Sequence, residues 1–211
     1  CDFASFPCNG VPEEYVDALI REIEIVSRGE YPAVFDTVFF GGGTPSLLTG
    51  EQMERILDAV HSHFPVQEGA EQSMECNPGT ATREKLAAYR KAGINRLSIG
   101  LQSTHDALLK SVGRIHTYQQ FLETLEQARS VGFDNINADV MHGLPGQTLE
   151  QYMDTLQTVC DLGLQHISSY ALTLEEHTPL YERVANKLVQ LPESDLVADM
   201  QDAGMDYLES R

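Results

Sequence analysis

Positive charge is scarce in this chain of 211 residues, in which 14 Lys and Arg residues stand against 32 Asp and Glu residues. The formal net charge of -18 repels phosphate backbones and anionic lipid headgroups, so we expect neither nucleic acid nor a membrane surface as a partner. The chain also lacks an apolar run near the roughly 20 residues of a membrane-spanning helix, and it shows no secretory apolar segment. These absences predict a cytoplasmic protein without an integral membrane segment.

Cysteine and paired histidine are also sparse. The four cysteines stand at positions 1, 8, 76 and 160, and this wide spacing favours free thiols in a reducing compartment over a disulfide framework. Seven histidines are scattered along the chain, and apart from His61 and His63 none are closely spaced, so the sequence gives little indication of a histidine metal site. Cys160 falls on the apolar stripe of a predicted helix and Cys76 lies late in a predicted strand, so we expect both to be packed rather than reactive.

One pattern occurs three times, as KAGINRLSIG (91–100), SVGFDNINADV (130–140) and DLGLQHISSYA (161–171). In each copy a glycine suits the left-handed end of a helix, and a β-rich segment follows after a short turn. Two further β-rich segments run into the turn residues GGGTPS and NPGT. The sequence therefore predicts five strands, at 36–40, 72–76, 96–101, 134–140 and 166–172.

Helical periodicity of apolar residues lies between these strands. Two capping boxes, Thr49 with Gln52 and Thr148 with Gln151, mark helix starts, because each pairs a hydroxyl and an amide with N–H groups that lack helical partners. An earlier helix, from Pro12 to Arg28, is expected to bury one apolar side. The residues predicted on that side are Tyr15, Leu19, Ile23 and Val26.

The alternation of strand and helix predicts an α/β fold with a parallel sheet, either an open doubly wound sheet or a barrel or part-barrel. The length fits one domain, 1–211, better than two. The pattern weakens after Tyr170, and a last helix is predicted over 194–209. In both architectures ligands bind at the carboxyl ends of the strands.

The residues that follow the predicted strands are small, polar or acidic. The GGGTP run after the first strand is either a tight turn or a loop whose backbone approaches a ligand closely. It lacks the GK[ST] ending of a P-loop and the third glycine of a dinucleotide fingerprint, which disfavours triphosphate chemistry. The other residues at strand ends are Glu75, Asn77, Gln102, Asp139, Tyr170 and Ala171.

These side chains suit a polar small molecule. Glu75, Gln102 and Asp139 can hold hydroxyl or amino groups, and Arg114 in VGRIHT can pair with a carboxylate. Each residue taken alone is equally explained as a turn or cap group. Their joint placement at strand ends is what favours a binding site.

Six segments, in this order, resemble the radical S-adenosylmethionine (radical SAM) superfamily: CDF, GGGTPSLL, ECNPGT, RLSIGLQS, VGRIHT and NADVMHGLPGQT. The resemblance covers nearly the whole chain. It is closest to the oxygen-independent coproporphyrinogen III oxidase family and its heme-chaperone branch, HemW. It implies a parallel-sheet, partial (β/α)6 TIM-like barrel with its first strand lying before this chain, and 176–211 leading toward a C-terminal family domain that is not included.

The resemblance also implies the cofactors. In the superfamily, three cysteines of a CxxxCxxC loop hold a [4Fe-4S] cluster whose open iron binds S-adenosylmethionine and passes it an electron, giving a 5′-deoxyadenosyl radical. Cys1 matches the third cysteine of that loop, and the other two are expected before this chain. Cys8 is not part of the pattern.

Eight further residues match cofactor contacts of the family. Gly42, Gly43 and Thr44 correspond to contacts around the methionine end of S-adenosylmethionine. Ala171 corresponds to a contact near its adenine. The side-chain contacts are Glu75, Gln102, Arg114 and Asp139.

Phe3 separates two functions that the resemblance allows. The oxidases carry a further cysteine at this position and decarboxylate coproporphyrinogen III to protoporphyrinogen IX, whereas the chaperone branch binds heme as cargo and delivers it to respiratory hemoproteins. CDF matches the chaperones, for which enzyme activity cannot be assumed. The alternatives are the oxidase and, outside the family, a plain α/β barrel enzyme that binds a phosphorylated metabolite at GGGTP. The lack of a basic cluster near that loop counts against the last.

Overall fold

A computed structural model describes residues 10–29 and 34–211. Strands and helices alternate along this part of the chain, with a short 3-10 turn at Pro45–Leu47. The strands are β1 (Phe35–Phe40), β2 (Val66–Cys76), β3 (Arg96–Gln102), β4 (Asn135–His142) and β5 (His166–Ala171). The helices are α1 (Glu13–Val26), α2 (Gly50–His63), α3 (Arg83–Ala92), α4 (Asp106–Ser111), α5 (Tyr118–Ser130), α6 (Leu149–Asp161), α7 (Pro179–Ala185) and α8 (Ser194–Glu209).

The five strands form one sheet in the order β1-β2-β3-β4-β5, which is also their order in the sequence. β1 and β2 pair in parallel, with Phe40 opposite Met74, and β4 and β5 pair in parallel, with Met141 opposite Tyr170. Parallel neighbours need a crossover, and a helix lies between each pair of consecutive strands. The predicted α/β fold class is confirmed.

The structure contains the helix caps and left-handed glycines that the sequence predicts at the element boundaries. Gly93, Gly132 and Gly163 have φ angles of 122°, 93° and 63°, which an L side chain rarely adopts, so glycine ends the helix before each of β3, β4 and β5. Both capping boxes form, at Thr49 and at Thr148. Helices α2 and α6 therefore begin where the sequence predicts.

Two predictions about elements were wrong in detail. β2 begins at Val66, six residues before the predicted start, because the polar segment ahead of Gln72 continues the pairing with β1 after a register shift. In α1 the fully buried residue is Val16, while Tyr15 and Val26 are 59% and 46% exposed. Leu19 and Ile23 are half-buried, so the predicted apolar side of α1 is wrong at Tyr15 and Val26.

The expected excursion after Tyr170 contains α7, which Thr178 caps by accepting a hydrogen bond from the Tyr181 N–H. Cys160 was predicted to lie in the core, but it is only half-buried, because the buried stripe of α6 runs through Tyr152, Leu156 and Val159. No helix in the described part of the chain is both long and apolar enough to span a membrane.

The described residues group into two compact units. One unit, here called the glycine-loop unit, comprises 10–29, 34–98 and 123–136, and the other, the carboxyl-terminal unit, comprises 99–122 and 137–211. The glycine-loop unit has its core around Met53, Ile56, Leu57, Met74, Leu86 and Tyr89. The carboxyl-terminal unit has its core around Leu101, Leu109, Val140, Tyr152, Leu156 and Met200.

Candidate functional site

In the glycine-loop unit, β1 delivers the GGGTP run to a turn whose backbone only glycine adopts readily. Gly42 and Gly43 have φ angles of 76° and 54°. Gly41 is restricted differently, since a Cβ there would lie 2.6 Å from Phe39 Cε1 and 3.3 Å from Glu75 Oε1. The loop is therefore specified by sequence at three consecutive positions.

Glu75, near the end of β2, is joined to this loop. Its Oε2 accepts a hydrogen bond from the Gly42 N–H at 3.1 Å, so a carboxylate on β2 contacts the loop that follows the neighbouring strand, β1. Asn77, two residues on, donates from Nδ2 to Thr44 Oγ1 at 3.5 Å. The structure thus brings together Gly42, Thr44 and Glu75, as the sequence predicts for the ends of neighbouring parallel strands.

Three residues that the sequence analysis did not identify hold this arrangement. Ser46 Oγ accepts from the Asn77 N–H at 3.2 Å and lies 2.5 Å from Thr80 Oγ1, while Lys85 Nζ donates to the Ser46 carbonyl at 2.6 Å. The sequence indicated only that turn residues follow each strand. Which hydroxyl would meet which loop depends on pairs more than 30 positions apart, which a single sequence does not reveal.

Cys76 lies beside this network and is packed, as predicted. Burial raises the pKa of its thiol to about 11, and hydrogen bonding with Ser46 and Thr80 and the positive charge of Lys85 offset this only in part. Because the thiolate is the reactive and metal-binding form, a thiol with this pKa is inert near neutral pH.

In the carboxyl-terminal unit, Gln102 ends β3 in an unusual state. Its backbone is left-handed, with φ of 68°, and its side chain is 1% exposed. Within the described residues its Oε1 atom has no hydrogen-bond partner. Left-handed non-glycine residues and unsatisfied buried polar atoms are both costly, and they concentrate at functional sites.

Asp139 and Arg114 are electrostatically coupled in the same unit. Burial lowers the pKa of Arg114, and the nearby Tyr170 and Asp139 groups act in the opposite direction. A guanidinium remains charged in proteins, so Arg114 offers a partly desolvated cation. Asp139 also accepts a hydrogen bond from Asn137 Nδ2 at 2.8 Å.

Ala171 is the last residue of β5 and pairs with His142, the last residue of β4. Tyr170, before it, is 42% exposed. This unit therefore holds Gln102 and Ala171 at the ends of β3 and β5, Asp139 within β4 three residues before its end, and Arg114 in the loop after α4. Its groups suit a ligand that carries a carboxylate and hydrogen-bond donors.

The predicted cluster ligand, Cys1, lies outside the described residues, as do Phe3 and Cys8. Within 10–29 and 34–211, no three His, Cys, Asp or Glu side chains come together as a metal site.

The radical SAM superfamily model matches residues 1–159. The heme chaperone HemW of Lactococcus lactis is 36% identical over 99% of this chain and 54% of its own length. HemW of Escherichia coli is 38% identical over 99% of the chain and 54% of its own length. The chain thus spans about half the length of these curated relatives.

Among solved structures, the coproporphyrinogen III oxidase HemN of Escherichia coli, described as a radical SAM enzyme, superposes with a TM-score of 0.80 and 28% identity. The match covers 94% of this chain and 45% of the oxidase. A [4Fe-4S] cluster and S-adenosylmethionine are the cofactors that this superfamily implies. The chain belongs to the radical SAM superfamily, and within it the chain is similar along nearly its whole length to the heme chaperones called HemW.

Proposed function

We propose that the full-length protein is a radical SAM heme chaperone, which binds heme in the cytoplasm and delivers it to respiratory hemoproteins. One observation carries the proposal. The heme chaperones of Lactococcus lactis and Escherichia coli are 36% and 38% identical to the chain, each over 99% of its length. Phe3 supports the same choice, because it stands where the oxidases that this chain resembles have a further cysteine.

We assign the cofactor contacts residue by residue. Gly42, Gly43 and Thr44 bind the methionine end of S-adenosylmethionine, Ala171 lies near its adenine, and Cys1 is a cluster ligand. The remaining side-chain contacts are Glu75, Gln102, Arg114 and Asp139. When bound, the cluster would supply an electron to the sulfonium of S-adenosylmethionine.

Within each unit, the residues present fit the part of the cofactor that is assigned to them. Gln102 keeps a buried amide oxygen without a partner in the described part of the chain, which suits a donor group of a ligand. Arg114 is a partly desolvated cation, and a guanidinium can bind a carboxylate. The glycine backbone at 42 and 43 leaves the loop surface without side chains, so a ligand can approach closely.

A coproporphyrinogen III oxidase is the second candidate, and the superposition with HemN is the observation that favours it. Both candidates need the same cofactors, so cofactor binding alone does not separate them. They differ in the porphyrin: the chaperone holds heme unchanged, whereas the oxidase removes carboxyl groups from two propionates.

The test uses full-length protein reconstituted with iron and sulfide under anaerobic conditions. We expect a visible cluster absorbance, binding of S-adenosylmethionine, a saturable heme titration and no turnover of coproporphyrinogen III. Formation of protoporphyrinogen IX would select the oxidase instead. Protein that assembles no cluster under these conditions would contradict both radical SAM functions.

A further inference from the structure

A chain of two hydrogen bonds, from Ser168 through Asn137, leads to the carboxylate of Asp139. Ser168 on β5 donates its hydroxyl to Asn137 Oδ1 at 3.1 Å, and Asn137 Nδ2 donates to Asp139 Oδ1 at 2.8 Å. Asn137 and Asp139 are two residues apart on β4 and so share one face of the strand, and Asp139 is in register with Ser168.

The chemistry of these groups fixes the orientation of the amide. A carboxylate only accepts hydrogen bonds, so the amide nitrogen of Asn137 must face Asp139. The amide oxygen then points to Ser168, whose hydroxyl can donate. The hydrogen bond to Asp139 is therefore charge-assisted and set by both neighbours.

Burial argues that this amide has a task beyond filling space. Asn137 is 1% exposed, and a buried amide is costly compared with an apolar side chain unless its hydrogen bonds are made. Its flanking strand residues Ile136 and Ala138 are buried and apolar. The hydrogen bond to Asp139 explains why a polar residue occupies position 137.

We propose that Asn137 is a positioning residue for S-adenosylmethionine, because it orients the carboxylate of Asp139, a proposed contact to that cofactor. The negative charge of Asp139 also acts on Arg114, so a change in the orientation of this carboxylate alters the electrostatic environment of a second proposed contact. Loss of Asn137 thus affects two contacts at once. The inference rests on the proposed cofactor site.

The test is a double-mutant cycle on full-length, cluster-reconstituted protein, with the dissociation constant of S-adenosylmethionine as the readout. Asn137→Ala should weaken binding about tenfold, the effect of one charge-assisted hydrogen bond. In the Asp139→Ala background the same change should have little further effect, because Asn137 acts through Asp139. Additive losses would mean that Asn137 affects binding independently of Asp139, and would overturn the proposal.

Two serines on β5 give a matched pair of milder variants. Ser168→Ala should weaken cofactor binding by about threefold, since it removes the anchor of Asn137. Ser169→Ala should leave binding unchanged, because the Ser169 hydroxyl instead meets Tyr152 Oη at 2.8 Å. Equal affinities for the two variants would count against the positioning role, and this comparison holds even if Asn137→Ala fails to fold.

The outcomes separate this inference from the function on which it rests. Wild-type protein that carries its cluster but binds no S-adenosylmethionine would refute the cofactor site itself. Normal binding by wild type and by every Asn137 variant would refute only the role of Asn137.

Discussion

Gln102 combines a left-handed backbone with a buried amide oxygen that lacks a partner in the described part of the chain. Each feature costs on the order of 1 kcal/mol or more, and neither improves packing. Gln147 is the opposite case in the same unit. It is equally buried, but its Oε1 accepts from the Leu144 N–H at 3.0 Å and its Nε2 donates to the Met141 carbonyl at 3.2 Å.

This contrast predicts opposite effects for the same substitution. Gln102→Asn should leave the free energy of unfolding within about 1 kcal/mol, since Asn tolerates a left-handed backbone, but should weaken S-adenosylmethionine binding about tenfold by withdrawing the amide. Gln147→Asn should lower the free energy of unfolding by about 1–3 kcal/mol and leave the affinity unchanged. Denaturant titration measures the change in stability and cofactor titration the change in affinity. If both variants changed stability and affinity in the same way, the result would argue against a ligand role for Gln102.

His142 predicts how stability depends on pH. Its ring is 3% exposed, lies 5.2 Å from the Tyr152 ring, and has no hydrogen-bond partner for either nitrogen among the residues described. Burial lowers its pKa from the ordinary 6.5. The unfolded chain therefore takes up this proton first, and the free energy of unfolding should fall as the pH drops below about 6.5.

His142→Phe should remove this part of the dependence, because a phenyl ring fills similar space and cannot be protonated. Measured by denaturant titration at neutral and mildly acidic pH, the variant should lose less stability on acidification than the wild type. Parallel pH curves for His142→Phe and wild type would show that His142 is not the group responsible.

The residue scale also shows what one sequence can predict about a site. Glu75, Gln102 and Asp139 were identified because each lies at the end of a predicted strand, which is a local pattern. Asn137 and Ser46 were not, because their roles depend on contacts with Ser168 and Asn77, 31 residues away in each case. Residues at strand ends can be predicted from local sequence patterns. The residues that hydrogen-bond to them can be identified only from the three-dimensional structure.

At the scale of elements, the close contact of α2 with α3 depends on glycine. A Cβ built on Gly50, the first residue of α2, would overlap the Cβ of Ala88 on α3. Helix propensity favours Ala over Gly, yet we expect Gly50→Ala to lower the free energy of unfolding by about 1–3 kcal/mol through overpacking.

A double-mutant cycle tests the cause of that loss. Ala88→Gly alone should cost about 1 kcal/mol in helix propensity, but in the Gly50→Ala background it should recover stability, because it removes the overlapping methyl group. If the two losses simply add, the contact is not the reason for glycine at position 50.

Elements were predictable where a local signal marks their ends. The capping residue Thr49 and the helix-ending Gly93 placed α2 and β3 closely. The first half of β2 carries no such signal, since Val66–Glu71 is polar and includes a left-handed Gly69, and only its pairing with β1 makes it a strand. The buried face of α1 was misassigned for a similar reason, because both possible faces carry apolar residues.

At the scale of the whole molecule, composition predicted the net charge but not where it lies. Five carboxylates of α8 follow the spacing i, i+4, i+7, i+11 and i+14, and all five are exposed: Asp195, Asp199, Asp202, Asp206 and Glu209. Like charges at these spacings repel by a few tenths of a kcal/mol per pair, and a net charge of -18 adds a general repulsion. Electrostatics should therefore oppose folding.

Asp202→Lys should raise the free energy of unfolding at low salt by about 1 kcal/mol, because it turns two repulsions, with Asp199 and Asp206, into attractions. Gln201→Lys is the matched control, since its neighbours Ala198 and Met205 on the same helix are uncharged, and its gain should be smaller. Added salt should stabilise the wild type and narrow its difference from Asp202→Lys, because exposed charges are screened. A gain that is equal for both lysine variants, or that salt leaves unchanged, would show that the stripe on α8 contributes no local repulsion.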